Sequence, residues 1–316
     1  MNVSASQRMK RVFSSLSSKP SYTLMRFFAR FTLLRYLVPK VRNFVLRYGV
    51  GSKVNIEGAD YEPTLFPDID AASMVADLKQ HGVAFGLKLP NEIVASLRSF
   101  ADNNMCFADR DPASGFSLND RERAEKLLGK KILVAQYFNT VSECSEVVRL
   151  IRDPVLNQVA RGYLGSTPKF VGANLWWTFP VDATQEDRNR HAHLFHRDVD
   201  DFRFFKFFFY LTDVEAGDGA HVCVLGSQGK PPTKHLLDRW NIRRYSDDEV
   251  NQQYDSGKVT DICGKAGDGF AEDTWCIHKG KTPVNRPRLL LQLQFALFDY
   301  GAMHDQRDEK SLKELM

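Results

Sequence analysis

The sequence predicts a mainly β protein with flanking α-helices and a double-stranded β-helix (jelly-roll or cupin-like) core. After Gly165, short apolar runs follow one another, separated by Gly, Pro and Asp, which is typical of antiparallel strands. Several such strands in about 130 residues indicate a sandwich or jelly roll. The runs occupy residues 169–179, 192–198, 203–214, 219–225, 258–263, 270–278 and 288–298.

The half of the chain before Gly165 predicts mostly helices. Residues 70–80 and 119–130 have helical patterns, and Pro90 is expected to begin a helix that ends near residue 102. Residues 142–164 repeat apolar positions at helical spacing and stop at Gly165, a natural C-cap. Residues 82–89 are expected to form a strand, and the polar stretch of about 228–257 a helical insert over the barrel mouth.

Composition and charge limit the class of protein. Hydrophobic residues make up 43% of the 316 residues, enough for a sizeable core, which excludes a disordered chain. The first 56 residues carry eleven Lys and Arg residues and no acid, which leaves 32 basic and 39 acidic residues for the rest. Only the N-terminal segment therefore favours an anionic partner. No nucleic-acid-binding motif is recognised, so a nucleic-acid partner is not expected.

The five cysteines are widely spaced and include no C-x-x-C pair, which argues against a disulfide framework or a zinc ribbon. A reducing compartment fits this pattern, and we expect a cytoplasmic protein. Three segments are predicted: a basic amphipathic extension (1–55), one main domain (56–300) and a charged C-terminal tail (301–316).

The extension has one apolar stripe at helical spacing within residues 24–48. Basic residues interrupt every apolar run, which excludes a transmembrane helix, and Pro39 is expected to kink or split the stripe. Three interpretations remain open: a helix docked on the domain, a peripheral membrane anchor lying in the bilayer plane, and an organellar transit peptide. The stripe consists of Phe27, Phe31, Leu34, Val38, Val41 and Val45.

A metal site is predicted from His196, Asp198 and His278. In the sequence His196-Arg-Asp198, both side chains lie on one face of a strand because side-chain direction alternates. His278 closes a later apolar run and supplies a second imidazole. Two imidazoles and one carboxylate form the facial triad of non-haem iron enzymes, which leaves three coordination positions open. His-x-Asp alone is a weak signal, and His193 is a rival ligand.

The chain resembles the phytanoyl-CoA dioxygenase-like family of Fe(II)/2-oxoglutarate-dependent oxygenases over residues 70–298. The resemblance implies that His196, Asp198 and His278 bind Fe(2+) and that Arg288 binds the far carboxylate of 2-oxoglutarate. The segments that carry it are Gly82-Val-Ala-Phe, His196-Arg-Asp198, Tyr210-Leu-Thr-Asp-Val, Gly219-Ala-His, Leu225-Gly-Ser, Ala266-Gly-Asp268, His278 and Arg286-Pro-Arg288.

The activity that this resemblance implies is a dioxygenase reaction using O2. 2-Oxoglutarate would be decarboxylated to succinate and CO2 while a C–H bond of a small-molecule or lipid-like substrate is oxidised. The carboxylate of Asp198 favours hydroxylation over halogenation. Gln228 departs from the family pattern, which often has His there, but that position is not a usual ligand. The alternative is a jelly-roll protein that binds a metal or sugar without turnover.

Further residues are candidates for the pocket. Lys206 lies within an aromatic strand and either points inward, where it could hold the 2-oxoglutarate carboxylate, or outward with its stem on apolar surface. Asn174 and Trp176 on the preceding strand, and Phe208, could line the cavity, although aromatic core packing explains Trp176 equally well. Arg286 competes with Arg288 for the cosubstrate.

Overall fold

The computed structural model describes residues 19–48, 63–229, 244–301 and 305–315. They form mostly antiparallel sheet with flanking helices. The helices are α1 Pro20–Phe28, α2 Thr32–Tyr48, α3 Ala71–His81, α4 Asn91–Asn103, α5 Arg121–Leu128, α6 Thr140–Glu143, α7 Ser145–Arg152, α8 Pro154–Leu164, α9 Gln185–Arg190 and α10 Asp247–Gln253. The strands are β1 Val83–Lys88, β2 Cys106–Ala108, β3 Gly115–Phe116, β4 Val134–Tyr137, β5 Lys169–Thr178, β6 Phe204–Tyr210, β7 His221–Val224, β8 Val259–Ile262, β9 Asp268–Glu272, β10 His278–Gly280 and β11 Arg288–Ala296.

These strands form two sheets. The larger has the order β1-β9-β6-β11-β5-β4-β2-β3, and the smaller has the order β10-β7-β8. Strand β11 is central in the larger sheet, where Leu290 pairs with Tyr210 on one side and Trp176 on the other. Phe208 and Leu290 from the larger sheet and Cys223 from the smaller belong to one buried cluster, so side chains of the two sheets pack together.

Most predicted strands are confirmed, with two corrections. Residues 192–198 do not form a regular strand; they make only isolated bridges, Phe195 to Tyr245 and His196 to His278. The predicted run 270–278 is divided, because β9 belongs to the larger sheet and β10 to the smaller one. The turn between them, with Trp275 N bonded to the Asp273 carboxylate, carries the chain from one sheet to the other.

The caps of the body helices are well defined, and the predicted C-cap Gly165 is confirmed at the end of α8. Helix α3 begins after Asp70, whose side chain accepts from Ala72 N, and ends at Gly82 in the left-handed conformation. The helical region predicted over 142–164 is confirmed as helical but is divided into α6, α7 and α8. Cys144 is extended between the first two helices, and Asp153 caps α8 ahead of Pro154. Proline lacks the N–H that a continuous helix would need there.

The N-terminal segment forms two helices that dock on the body. The chain breaks at residues 29–31, whereas Pro39 is buried inside α2, so the helix is not split at Pro39. Of the predicted stripe, Phe27, Val41 and Val45 are exposed, and the other three residues are half-buried. No helix among the described residues is long and apolar enough to cross a bilayer.

Two further segments were predicted. Of the polar stretch 228–257, residues 230–243 lie outside the described residues; the described part contains α10, whose N-terminus has a capping box between Ser246 and Glu249. In the C-terminal tail, Asn139 N donates to Asp305 O at 2.8 Å and Gly115 N to Lys313 O at 2.8 Å. The described part of the tail is therefore tied to the body.

Candidate metal centre

His196, Asp198 and His278 converge at one point. His196 Nε2 lies 3.5 Å from Asp198 Oδ1, and His278 Nε2 lies 3.6 Å from Asp198 Oδ2. One nitrogen or oxygen atom of each residue lies within 4.8 Å of the other two. Ligands bound to one metal at about 2 Å lie roughly 3 Å apart, so small side-chain adjustments would close this set around an ion.

The backbone explains why residues so distant in sequence meet. His196 N donates to His278 O at 2.9 Å, and His278 N donates to His196 O at 3.0 Å. Asp198 N donates to Thr274 O at 2.9 Å. This short antiparallel bridge holds the segment that carries His196 and Asp198 against the start of β10.

Hydrogen bonds also set the direction of the imidazole lone pairs. His196 Nδ1 lies 2.9 Å from Leu194 O, and His278 Nδ1 lies 3.0 Å from Cys276 O. Because a carbonyl oxygen only accepts, each Nδ1 carries the proton and each Nε2 offers its lone pair. Burial, together with His196, lowers the pKa of His278 to about 3, against the opposite effect of Asp198 and Glu272. His278 is therefore neutral near pH 7.

Lys206 points inward, towards the carboxylate. Its Nζ lies 2.6 Å from Asp198 Oδ2 and 3.5 Å from Asp200 Oδ2. Burial by itself raises the pKa of Asp198, but Lys206 and His278 outweigh it and hold that pKa well below its usual value. Burial likewise lowers the pKa of Lys206, yet the two aspartates raise it on balance. Asp198 is therefore ionised, as a metal ligand must be.

Arg288 lies in the same cavity, which has a volume of about 310 Å³ and is lined by all three converging residues. Its side chain is buried, donates to Gly219 O, and lies 3.3 Å from Thr178 Oγ1. Its Nε finds no hydrogen-bond partner among the described residues. Arg286 is half exposed and pairs with Asp218 at 2.6 Å outside this cavity. The structure thus places Arg288, and not Arg286, beside the candidate metal site.

The remaining predicted pocket residues also line this cavity. Asn174, Trp176 and Phe208 all contribute to its wall, and Asn174 accepts a hydrogen bond from Gln136 at 3.0 Å. His193, the rival ligand, is not part of the converging group; its Nδ1 lies 2.8 Å from Thr282 Oγ1. It separates this cavity from an open cleft of about 1040 Å³, whose wall it shares.

A buried contact between His221 and Glu272 behind the site was not predicted from the sequence. His221 Nε2 lies 2.6 Å from Glu272 Oε2, and Glu272 is fully buried. The His221 ring stacks on His278, with centroids 5.5 Å apart and planes 16° apart. Burial raises the pKa of Glu272, but the neighbouring His221 lowers it on balance. An ionised carboxylate and a flat ring therefore lie directly behind the His278 imidazole.

Arg110 is a second arginine of the cavity wall that the sequence did not reveal. Asp109 and Arg110 both adopt positive φ, 52° and 66°, a conformation that non-glycine residues rarely adopt. Among the described residues Arg110 makes no salt bridge, although it lines the same cavity as Arg288. Consecutive strained residues often occur at functional sites, and no sequence signal marks this loop.

Comparisons with known proteins are distant. No family model matches the sequence, and no curated protein matches it significantly. Among solved structures, AviO1 from Streptomyces viridochromogenes is 17% identical, covering 74% of this chain and 96% of its own, with a TM-score of 0.46. HygX from Streptomyces hygroscopicus, with nickel and 2-oxoglutarate bound, is 15% identical (72% and 88%; TM-score 0.48). The non-heme alpha-ketoglutarate-dependent epimerase SnoN is 14% identical (72% and 82%; TM-score 0.45).

Proposed function

We propose that this protein is an Fe(II)- and 2-oxoglutarate-dependent dioxygenase with a jelly-roll core, a distant member of the phytanoyl-CoA dioxygenase-like family. We further propose that it hydroxylates an unactivated C–H bond of a small-molecule or lipid-like substrate. The observation that carries the proposal is the convergence of His196, Asp198 and His278 in a cavity that also contains Arg288.

The donor set fits iron. Two imidazole nitrogens and one ionised carboxylate are borderline and hard ligands that suit Fe(II), and three protein ligands leave room for a bidentate 2-oxo acid and O2. Structural zinc sites usually contain four protein ligands, often thiolates. The four buried cysteines are not members of the converging group. The triad therefore supports an open catalytic site over a closed structural one.

Arg288 supports the choice of cosubstrate. A buried guanidinium is planar and matches the geometry of a carboxylate. Hydrogen bonds from its Nη1 to Gly219 O and from its Nη2 to Thr178 Oγ1 fix its orientation. Its unpartnered Nε leaves hydrogen-bonding capacity for an incoming anion. Trp176, Phe208 and Leu290 supply apolar walls to the same cavity, which limit water around the reacting groups.

When bound, iron supplies the oxidising chemistry, and the balanced reaction is RH + 2-oxoglutarate + O2 → ROH + succinate + CO2. The residues of this chain have supporting tasks. His196, Asp198 and His278 bind, Arg288 orients the cosubstrate, and Lys206 keeps Asp198 ionised. The stack of His221 on His278 fixes the plane of that ring.

Succinate release is the direct test. The purified full chain is supplied with Fe(II), ascorbate, 2-oxoglutarate and air, with and without a panel of small molecules. We expect substrate-stimulated succinate, and a loss of at least about a thousandfold in His196→Ala because one of three ligands is missing. His81→Ala, which changes an exposed histidine outside the cavity, should retain full activity.

Two outcomes would reject the proposed function. If the wild-type chain releases no succinate and does not bind 2-oxoglutarate, the alternative of a binding protein without turnover is favoured. If His196→Ala and His81→Ala are equally active, the site lies elsewhere.

A further inference from the structure

The N-terminal helices expose an unusual concentration of apolar side chains. Among the described residues, thirteen large apolar side chains are exposed, and nine of them lie on α1 and α2. Soluble domains rarely leave a contiguous apolar surface uncovered unless something binds it. We call these nine residues the outward face: Leu24, Phe27, Phe28, Leu33, Tyr36, Leu37, Val41, Phe44 and Val45.

The outward face has helical spacing. Leu33, Leu37, Val41 and Phe44 follow one another by four, four and three residues, which places them in one stripe along α2. Their exposed fractions are 66%, 39%, 58% and 64%. A surface helix of a soluble domain usually turns its apolar stripe towards the core. Helix α2 turns this stripe away from it.

The opposite side of the two helices is fixed to the body. Met25 and Ala29 are buried in a cluster with Val199 and Trp275. Arg35 stacks 4.1 Å above the Trp275 ring and donates to Asp201 O at 3.1 Å. These contacts set the rotation of the helices, so the outward face is held towards the solvent by the fold.

A hydrogen bond connects this helical layer to the candidate metal site. Tyr22 OH donates to Asp200 Oδ1 at 3.1 Å, and Asp200 lies 3.5 Å from Lys206 Nζ, which pairs with Asp198. The layer therefore lies beside the catalytic cavity and is not a distant appendage.

Charge favours a lipid surface over other occupants. The first 56 residues contain no acid, and exposed Lys19, Arg26 and Lys40 accompany the outward face. None of these three makes a salt bridge to a described acidic residue. Two copies meeting through this face would bring like charges together in an isologous contact. Anionic headgroups above an apolar layer are complementary to both features.

We propose that α1 and α2 form a membrane-docking surface that lies in the plane of an anionic bilayer, with the outward face inserted among the acyl chains and the basic residues at the headgroups. The aromatic residues Phe27, Phe28, Tyr36 and Phe44 suit this boundary, where rings are enriched. The surface brings the catalytic cavity to the bilayer, and the inference is independent of the reaction proposed above.

Vesicle co-sedimentation of the full chain tests the surface. The probes are phosphatidylcholine vesicles and vesicles with about one-third phosphatidylglycerol. We expect stronger pelleting with the anionic vesicles, weakened by salt through screening. The double variant Leu37→Gln/Val41→Gln should lower the partition coefficient at least about tenfold. The matched control Leu127→Gln/Val284→Gln removes two exposed apolar side chains of the body and should leave it unchanged.

Three outcomes would overturn the inference. The first is a wild-type chain that stays in the supernatant with both vesicle types. The second is an equal loss of binding in the two double variants. The third is a lipid-free dimer in sedimentation velocity that Leu37→Gln/Val41→Gln converts to a monomer, which would make the outward face a contact between copies.

Discussion

The candidate metal cavity and the N-terminal helices both depart from the usual distribution of side chains between core and surface, but in opposite directions. The cavity buries His196, Lys206, Glu272, His278 and Arg288, which are residue types that normally face water. The helices expose Phe, Leu and Val side chains that normally face the core. In the cavity, Lys206 pairs with Asp198, and Arg288 donates to Gly219 O. On the helices, the inward face packs against the body and the outward face is exposed to solvent.

This contrast teaches that functional surfaces can be located where local chemistry disagrees with burial. The cost of burying charge in the cavity is met by pairs such as Lys206 with Asp198 and His221 with Glu272. The apolar residues of the outward face are instead exposed. Substitutions in the cavity should therefore lower the stability of the protein, whereas substitutions on the outward face should change it little. The predictions below test this difference.

The largest stability effect is expected at Glu272. Glu272→Ala leaves His221 buried without its partner beside His278 and opens a cavity, so the free energy of unfolding should fall by about 3 kcal/mol. Urea unfolding measures the loss. Glu122→Ala, at an exposed position of α5, is the matched control and should change little. An equally small effect of both substitutions would mean that the pair is not a stabilising element.

Arg288 and Arg286 separate cosubstrate binding from general charge. Arg288→Gln should weaken 2-oxoglutarate binding about a hundredfold, because a charged, buried hydrogen-bond donor is lost. Arg286→Gln removes the same charge two residues away, outside the cavity, and should leave binding unchanged. Isothermal titration with 2-oxoglutarate in the presence of a redox-inert divalent metal compares them. If Arg286→Gln weakened binding more than Arg288→Gln, the cosubstrate would bind Arg286 and not Arg288.

Arg35 joins the two regions. Arg35→Gln removes the stack on Trp275 and the charged donor to Asp201 O, so the free energy of unfolding should fall by about 1–2 kcal/mol. Amide hydrogen exchange should speed up in α1 and α2 while the central strand β11 stays protected. Lys40→Gln, at an exposed position of the same helix, is the control. Unchanged exchange in α1 and α2 would show that other contacts hold the helices.

The smallest effect is expected on the outward face. Leu37→Gln/Val41→Gln removes two exposed apolar side chains without opening a cavity, so the free energy of unfolding should stay within about 0.5 kcal/mol of the wild type. Urea unfolding without lipid provides the measurement. A loss above about 2 kcal/mol would show that these residues are part of the core, contrary to their exposure.

The convergence of His196, Asp198 and His278 could be predicted from the sequence because the signal of each residue is local. His-x-Asp on an extended segment puts two ligands on one side, and His278 ends an apolar run; both features survive although 192–198 is not a regular strand. The C-cap Gly165, which ends α8, was visible for the same reason. The inward direction of Lys206 was one of two open alternatives, because an aromatic strand does not reveal which face is buried.

The remaining features depend on tertiary contacts. The pair of His221 and Glu272 joins β7 of the smaller sheet to β9 of the larger one, and no spacing rule connects them. Arg110 enters the cavity through a strained loop. The break between α1 and α2 at residues 29–31 contains neither Gly nor Pro, so the sequence does not predict it. It occurs where Met25 and Ala29 pack against the body.

Anaerobic titration of the full chain with Fe(II), followed by 2-oxoglutarate, tests the central claim most directly. The account predicts one iron per chain, a weak visible charge-transfer band that appears only when 2-oxoglutarate is added, and loss of both in Asp198→Ala. A wild-type chain that binds no iron, or that binds iron but gives no band with 2-oxoglutarate, would contradict it.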